Sequence, residues 1–132
     1  MGALAIRQEA NGDISATDLL VARGSYNVLD ESAVGFIMTH GDPTSNESNS
    51  VAGVDFLYRN SEGPFGEILT GRFWAQQSRS SDLDGDEQAF GINLEVPSDK
   101  LRAYVDVQQI GEDFRPALGF VNRAGIRQYR TG

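Results

Sequence analysis

The acidic stretch 82–87 has the residue types best suited to metal chemistry. Its carboxylates alternate at Asp82, Asp84 and Asp86, a spacing that makes them a weak calcium candidate. Hard cations such as Ca²⁺ take about six to eight oxygen ligands, and the helical calcium loop needs a glutamate at its twelfth position. This chain has Asn93 there, with flanks that alternate like strands. We therefore expect a solvated acidic loop, with no bound metal and no cofactor.

Two other sets of residues have types used in acid–base catalysis. His40 is followed by Ser45 and Ser50, but the chain has no Gly-x-Ser-x-Gly elbow, which favours a histidine at a strand end. Glu95 and Asp106 fall on one face of neighbouring predicted strands, as the two carboxylates of a glycosidase do. Arginines on that face favour ion pairs instead. We expect no enzymatic activity.

Composition excludes several classes of protein. The 132 residues include no cysteine and one histidine, and the net charge is −8. Disulfides, thiolate sites and multi-histidine metal sites are therefore excluded, and the acidic charge argues against a nucleic-acid partner. No apolar run approaches the roughly 20 residues of a membrane helix. The length suits a single domain over 1–132.

Alternating side chains predict an all-β chain. In 89–96, Phe90, Ile92, Leu94 and Val96 fall on one face, a strict period of two. The predicted strands cover about 3–9, 18–28, 33–40, 51–60, 67–78, 89–96, 101–108 and 117–129. Because the joins are local, we predict an antiparallel up-and-down meander of about eight strands.

The joins predict two unlike ends of the sheet. Long polar joins are expected at 10–17, 41–50 and 79–87, and shorter ones at 29–32, 60–66 and 97–99. Outer-membrane barrels have short periplasmic turns and longer outward loops. The pattern therefore favours a membrane β-barrel or part of one.

Charged residues inside the strands fall opposite the apolar rows. The predicted polar network comprises Arg23, Asp55, Arg59, Arg72, Glu95, Arg102, Asp106, Arg123 and Arg127, with Arg7 on the same face. In a soluble sheet the apolar rows form the core and the arginines meet water. In a membrane barrel the apolar rows meet lipid and the charges line the lumen. Both structures satisfy the pattern.

Three features favour the membrane barrel over the soluble sheet. Arginine occurs ten times and lysine once, and the planar fork of arginine suits crowded carboxylate pairs. The strand lengths match the roughly 9 to 11 residues that cross a bilayer, and most acids lie in or beside the joins. Seven strand arginines face three acids, so a pore through the lumen should favour anions. The tyrosines and Trp74 suit an interfacial belt, except Tyr104 on the polar face.

The segment GEDFRPALGFVNRAGIRQYR at 111–130 resembles one in a family of bacterial outer-membrane β-barrel domains of uncharacterised function that follow a carbohydrate-binding module. The matching positions include Gly111, Asp113, Phe114, Pro116, Leu118, Gly119, Phe120, Arg123 and Tyr129. The stretches 49–56 and 34–37 are similar to the family too.

The resemblance implies a bacterial outer-membrane location, the lipid bilayer as partner and a structural, anchoring or pore role without catalysis. It also implies a longer parent chain, with a signal peptide and a sugar-binding module outside these residues, so we expect a fragment. The alternative is a soluble β-barrel or β-sandwich that binds a small ligand or carbohydrate.

Overall fold

Each strand of the sheet pairs with its neighbour in the sequence. The computed structural model describes residues 1–63, 66–98, 102–119 and 124–132. The strands are β1 (Gly2–Gln8), β2 (Thr17–Val28), β3 (Ser32–His40), β4 (Asn49–Asn60), β5 (Leu69–Ser80), β6 (Gln88–Pro97), β7 (Arg102–Ile110) and β8 (Ile126–Thr131). All neighbouring pairs are antiparallel, in the spatial order β1 to β8. The predicted all-β, up-and-down meander is confirmed.

The predicted last strand, 117–129, was wrong at its beginning. Residues 117–119 form a turn, and β8 begins only at Ile126. Pro116 supplies no N–H to a ladder, and Phe114 is buried, so the chain folds over the sheet before β8 begins. The predicted positions Phe120 and Arg123 lie outside the described residues.

The two faces of the sheet differ in composition. Because paired residues in an antiparallel sheet share a face, the register assigns each side chain. The apolar face carries Leu20, Ala22, Tyr26, Val34, Phe36, Met38, Val54, Phe56, Tyr58, Phe73, Ala75, Phe90, Ile92, Leu94, Val105, Val107 and Tyr129. The polar face carries Arg23, Asp55, Arg59, Arg72, Trp74, Asn93, Glu95, Arg102, Tyr104, Asp106, Gln108 and Arg130.

The two ends of the sheet also differ. The long-loop end holds the joins 9–16, 41–48, 81–87 and 111–125. The turn end holds the joins 29–31, 61–68 and 98–101 together with both chain termini. The join 61–68 is as long as 41–48, so the predicted alternation of long and short joins holds only for the other joins.

The sheet buries little of its own surface. The accessible surface of the chain is 9084 Å², whereas a compact monomer of 14.3 kDa exposes about 6,800 Å². A small cluster of Ala89, Ile110 and Phe114, with Trp74 and Ile126 against it, is the apolar core of the described residues. β1 and β8 form the two edges of the described sheet. Among the described residues, no helix is long and apolar enough to cross a bilayer.

Candidate functional site

An ion pair on the polar face joins two strands that are not adjacent. Arg23 Nη1 on β2 lies 2.5 Å from Asp55 Oδ2 on β4, across the width of β3. Gly35 lies between them on β3, and a Cβ there would come within 2.9 Å of both side chains. Glycine at this position therefore leaves room for the pair to span three strands.

A second group of ion pairs lies toward the other edge of the polar face. Asp106 Oδ1 accepts hydrogen bonds from Arg130 at 3.0 and 3.2 Å. Glu95 lies 3.8 Å from Arg102, so each member of the predicted carboxylate pair has its own arginine. Arg72 makes no side-chain hydrogen bond or ion pair with any described residue.

Three arginines that were predicted on the polar face are not found there among the described residues. Arg127 was placed on the wrong face: it pairs with Gln109 on the apolar face, where its Nε donates to Gln109 Oε1 at 3.0 Å. Arg7 was misplaced in the same way. Arg123 lies outside the described residues. The alternation is inverted in both edge strands, since Ile126, like Leu4 and Ile6 in β1, points to the polar face.

Arg130 is a member of the network that sequence reasoning missed. The predicted strand ended at residue 129, and its alternation would have put Arg130 on the apolar face with Ile126. Only the register with β7, in which Arg130 pairs with Asp106, places it on the polar face. Arg59 belongs to the network at its turn end, where it lies 3.8 Å from Glu31 in the join 29–31.

Residues 111–119, the first part of the join between β7 and β8, cover the polar face at the long-loop end, and we call them the covering loop. Phe114 is 5% exposed and packs with Ala89 and Ile110, with Trp74 beside them. A Cβ at Gly111 would lie 2.0 Å from the carbonyl oxygen of Asp86. Only glycine allows this close approach, which brings the loop back over the sheet.

Asp113, Gly119 and Gly125, in the same segment, shape the join between β7 and β8. The backbone N–H of Asp113 donates to the carbonyl of Asp86 at 3.2 Å, and the N–H of Gly119 donates to the carbonyl of Pro116 at 2.8 Å. Gly125 has φ +65°, a conformation that glycine adopts without strain. The first bond ties the covering loop to the join before β6, and the second closes a turn at 116–119.

Arg115 ties the covering loop to two other loops. Its Nη2 lies 2.6 Å from Asp42 Oδ2 and its Nη1 lies 2.9 Å from Asp82 Oδ2. The loops 41–48, 81–87 and 111–119 therefore meet at one guanidinium.

The Asp42 carboxylate is fully buried, with side-chain exposure of 0%. Burial alone raises its pKa, but hydrogen bonds from the hydroxyl and backbone N–H of Thr44 and from the Ser45 hydroxyl, together with the charge of Arg115, outweigh it. The pKa falls from 3.8 to about 2. Asp42 is therefore ionised at neutral pH.

Asn49 and Ser78 hold the backbone of the covering loop. The Asn49 amide donates to Ser80 Oγ at 2.9 Å and to the Arg115 carbonyl at 2.7 Å, and its Oδ1 accepts from Ala117 N–H at 3.2 Å. Ser78 Oγ accepts from Arg115 N–H at 3.0 Å. We call Asp42, Asn49, Ser78, Asp82 and Arg115 the loop-end cluster. Sequence reasoning missed most of it, although the Asp42–Thr44 spacing of an Asx turn was a local sign.

The structure does not assemble the weak calcium candidate. Asp82 faces Arg115, and the Asp86 backbone carbonyl holds Asp113 and lies against Gly111. No group of three carboxylate or imidazole side chains suited to a metal exists in the part of the chain that the structure describes.

His40 lies at the long-loop end of the apolar face. Its Nδ1 is 2.8 Å from Ser50 Oγ on the adjacent strand. No carboxylate of a described residue bonds to its ring. The pair is exposed and stands beside Arg79, which is opposite Ser50 in the register.

The apolar face has a distinct border at each end. Tyr26, Tyr58 and Tyr129 lie two residues before the turn-end limits of their strands. The long-loop border consists of Arg7, Asp18, His40, Ser50, Arg79, Gln88, Gln109 and Arg127. Trp74 lies on the polar face and does not belong to the tyrosine border.

Comparison with known proteins adds no relative. No protein family, curated protein or solved structure matches this chain.

Proposed function

We propose that this chain is a bacterial outer-membrane β-barrel or a part of one, with its apolar face in lipid and its polar face around a lumen. It serves as a structural anchor, and its lumen is a candidate pore; it catalyses no reaction. The observation that carries the proposal is the exposed apolar face with tyrosines at one border and polar residues at the other.

Exposure of the apolar side chains supports this orientation. Val54 is 58% exposed, Phe36 41% and Phe90 40%, and a water-soluble monomer rarely exposes so large a continuous apolar surface. The buried residues Ala89 and Ile110 lie on the opposite face, under the covering loop. The charged face thus has a cover of its own, whereas no described residue covers the apolar face.

Strand dimensions also support a membrane location. β2, β4 and β5 have 12 residues each, which at about 3.3 Å per residue and about 40° of tilt span about 30 Å. The hydrocarbon core of a bilayer is about 30 Å thick. Tyrosine is enriched where hydrocarbon meets the headgroups, which suits Tyr26, Tyr58 and Tyr129 at the turn end.

The position of the covering loop suits a partly closed lumen. It lies over the polar face at the long-loop end and is fixed there by Arg115 and Asn49. In a closed barrel it would narrow the lumen at that end, and the polar network of Arg23, Asp55, Asp106 and Arg130 would line the remainder.

Tryptophan quenching in vesicles tests the orientation. Trp74 is the single tryptophan and lies on the polar face. Phe90 lies on the apolar face of the adjacent strand, opposite Ala75. The chain is diluted from urea into phosphatidylcholine vesicles with brominated acyl chains. We expect Trp74 to keep most of its fluorescence, whereas a Trp74→Phe/Phe90→Trp variant loses most of it.

Three outcomes contradict the proposal. Protein that stays in the aqueous fraction on vesicle flotation, with neither tryptophan quenched, indicates the soluble ligand-binding alternative. Stronger quenching of the wild type, through Trp74, than of the Trp74→Phe/Phe90→Trp variant places the polar face in lipid. Equal quenching of the wild type and the variant contradicts the proposal that only the apolar face meets lipid.

A further inference from the structure

A groove crosses the apolar face from β1 to β5 near the long-loop end. Its volume is about 770 Å³. Its floor includes Ala5, Ala22 and Ala52, whose side chains end at Cβ, and the longer Leu20 and Met38 flank them. The result is an apolar trough in a face that otherwise carries large side chains.

One end of the trough is cationic and polar. Arg79, His40 and Ser50 line it there. Ser50 is opposite His40 on one side and Arg79 on the other, so the three side chains stand in a row across three strands. No aspartate or glutamate of the described residues lines the trough.

Arg79 differs from most of the other arginines. Its guanidinium makes no hydrogen bond or ion pair with any residue that the structure describes. By contrast, Arg7, at the same border, pairs with Asp18 at 3.8 Å. An exposed, uncompensated guanidinium beside an apolar trough complements a molecule with an anionic head and a hydrocarbon tail.

We propose that this groove binds one anionic membrane lipid. An acyl chain occupies the alanine-lined trough, and the phosphate of the headgroup pairs with Arg79, with Ser50 and His40 as adjacent hydrogen-bonding groups. Arginine suits this task because its planar fork matches phosphate oxygens. The inference rests on the proposed function, since a lipid meets this face only when the strands cross a membrane.

Native mass spectrometry of the full chain in detergent micelles tests the site. Phosphatidylglycerol and phosphatidylcholine of matched chain length are added separately. We expect about five-fold tighter binding of phosphatidylglycerol, the ratio that about 1 kcal/mol per basic residue near an anionic lipid gives. Arg79→Gln should abolish this preference, and Arg79→Lys should keep most of it.

Two variants separate the site from a general effect of charge. Arg127→Gln removes an arginine in β8, at the same border of the apolar face but away from the groove, and should leave the lipid preference unchanged. Ala52→Phe fills the trough, and should weaken the binding of both lipids while leaving the Arg79 charge in place.

The outcomes distinguish this site from the proposed function. Quenching of the Trp74→Phe/Phe90→Trp variant by brominated lipid, together with equal binding of the two lipids, overturns the site and leaves the membrane orientation standing. A preference that survives Arg79→Gln also overturns it. A dimer that added lipid does not displace identifies a second copy of the chain as the occupant. Absence of vesicle insertion removes both proposals.

Discussion

Arg115 Nη2 lies 2.6 Å from Asp42 Oδ2 and joins residues 73 positions apart in the sequence. The contact holds the loop after β7 against the loop after β3. Because the Asp42 carboxylate is inaccessible to solvent, it depends on its partners for the hydrogen bonds that water would otherwise make. The pair therefore couples the stability of two loops that follow different strands, β3 and β7.

Replacing Arg115 by glutamine should lower the free energy of unfolding by about 2 kcal/mol, because a buried carboxylate loses its charged partner. Equilibrium unfolding in urea, followed by circular dichroism in detergent micelles, measures the loss. Arg127→Gln is the matched control and should change the free energy by less than about 0.5 kcal/mol. Equal losses in the two variants would show that the contact adds no stability.

Asp42 should make the stability depend on pH in the acid range. Its pKa is lowered to about 2 in the folded chain from an ordinary 3.8. A group with a lowered folded pKa stabilises the fold above its unfolded pKa, and the contribution is lost as the pH falls through the folded value. The urea midpoints of wild type and Asp42→Asn should therefore differ at pH 6 and converge between pH 4 and pH 2. A difference that stays constant over this range contradicts the assignment.

Replacing Asn49 by alanine should destabilise the chain by about 2 kcal/mol, because it leaves the Arg115 carbonyl and the Ala117 N–H without their partner. It should also speed cleavage within 111–119 by a protease, measured by mass spectrometry of the fragments. Asn27→Ala is the control, since the Asn27 side chain is exposed and bonds to no described residue. Unchanged cleavage would mean that Asn49 does not hold the loop.

Arginine scanning of β5 compares the two faces at one depth. Ala75 lies on the apolar face, and the adjacent Gln76 lies on the polar face. Arginine in lipid near the bilayer midplane costs about 2–4 kcal/mol, so Ala75→Arg should lower the stability of the vesicle-inserted protein by that amount and Gln76→Arg by less. The measurement is urea unfolding from vesicles. The reverse order would contradict the proposed orientation.

Any current through the lumen should be carried by anions. Arg23, Arg59, Arg72, Arg102 and Arg130 lie on the polar face of the described strands. Only Asp55, Glu95 and Asp106 oppose them there. The reversal potential of a planar bilayer under a KCl gradient measures the preference, and Arg72→Glu should reduce it. A cation preference contradicts the prediction. The absence of any current contradicts the pore itself.

Alternation along the central strands was sufficient to predict most of the sheet. Phe90, Ile92 and Leu94 repeat every second residue, and a one-residue shift would move all of them to the other face. The edge strands were harder to predict. Leu4 and Ile6 in β1 lie on the polar face, because pairing with β2, and not hydrophobicity, sets the face of an edge strand.

The loop-end cluster was accessible to sequence reasoning only in part. The segment around Phe114 was distinctive, since it carries the resemblance. Its partners Asp42, Asn49 and Ser78 come from three other segments, and nothing local connects them to residue 115. Predicting 117–129 as one strand also hid the loop that brings them together.

The sequence by itself determined the strands, their antiparallel order and the separation of an apolar face from a charged one, because side chains in a strand alternate with a period of two residues. Only the tertiary structure decided which face the loop after β7 covers, which arginines find carboxylates and which one, Arg79, stands free beside the apolar groove. Those outcomes depend on the register between strands and on loops that meet across more than 60 residues of chain, and such distant contacts leave no periodic pattern in the sequence.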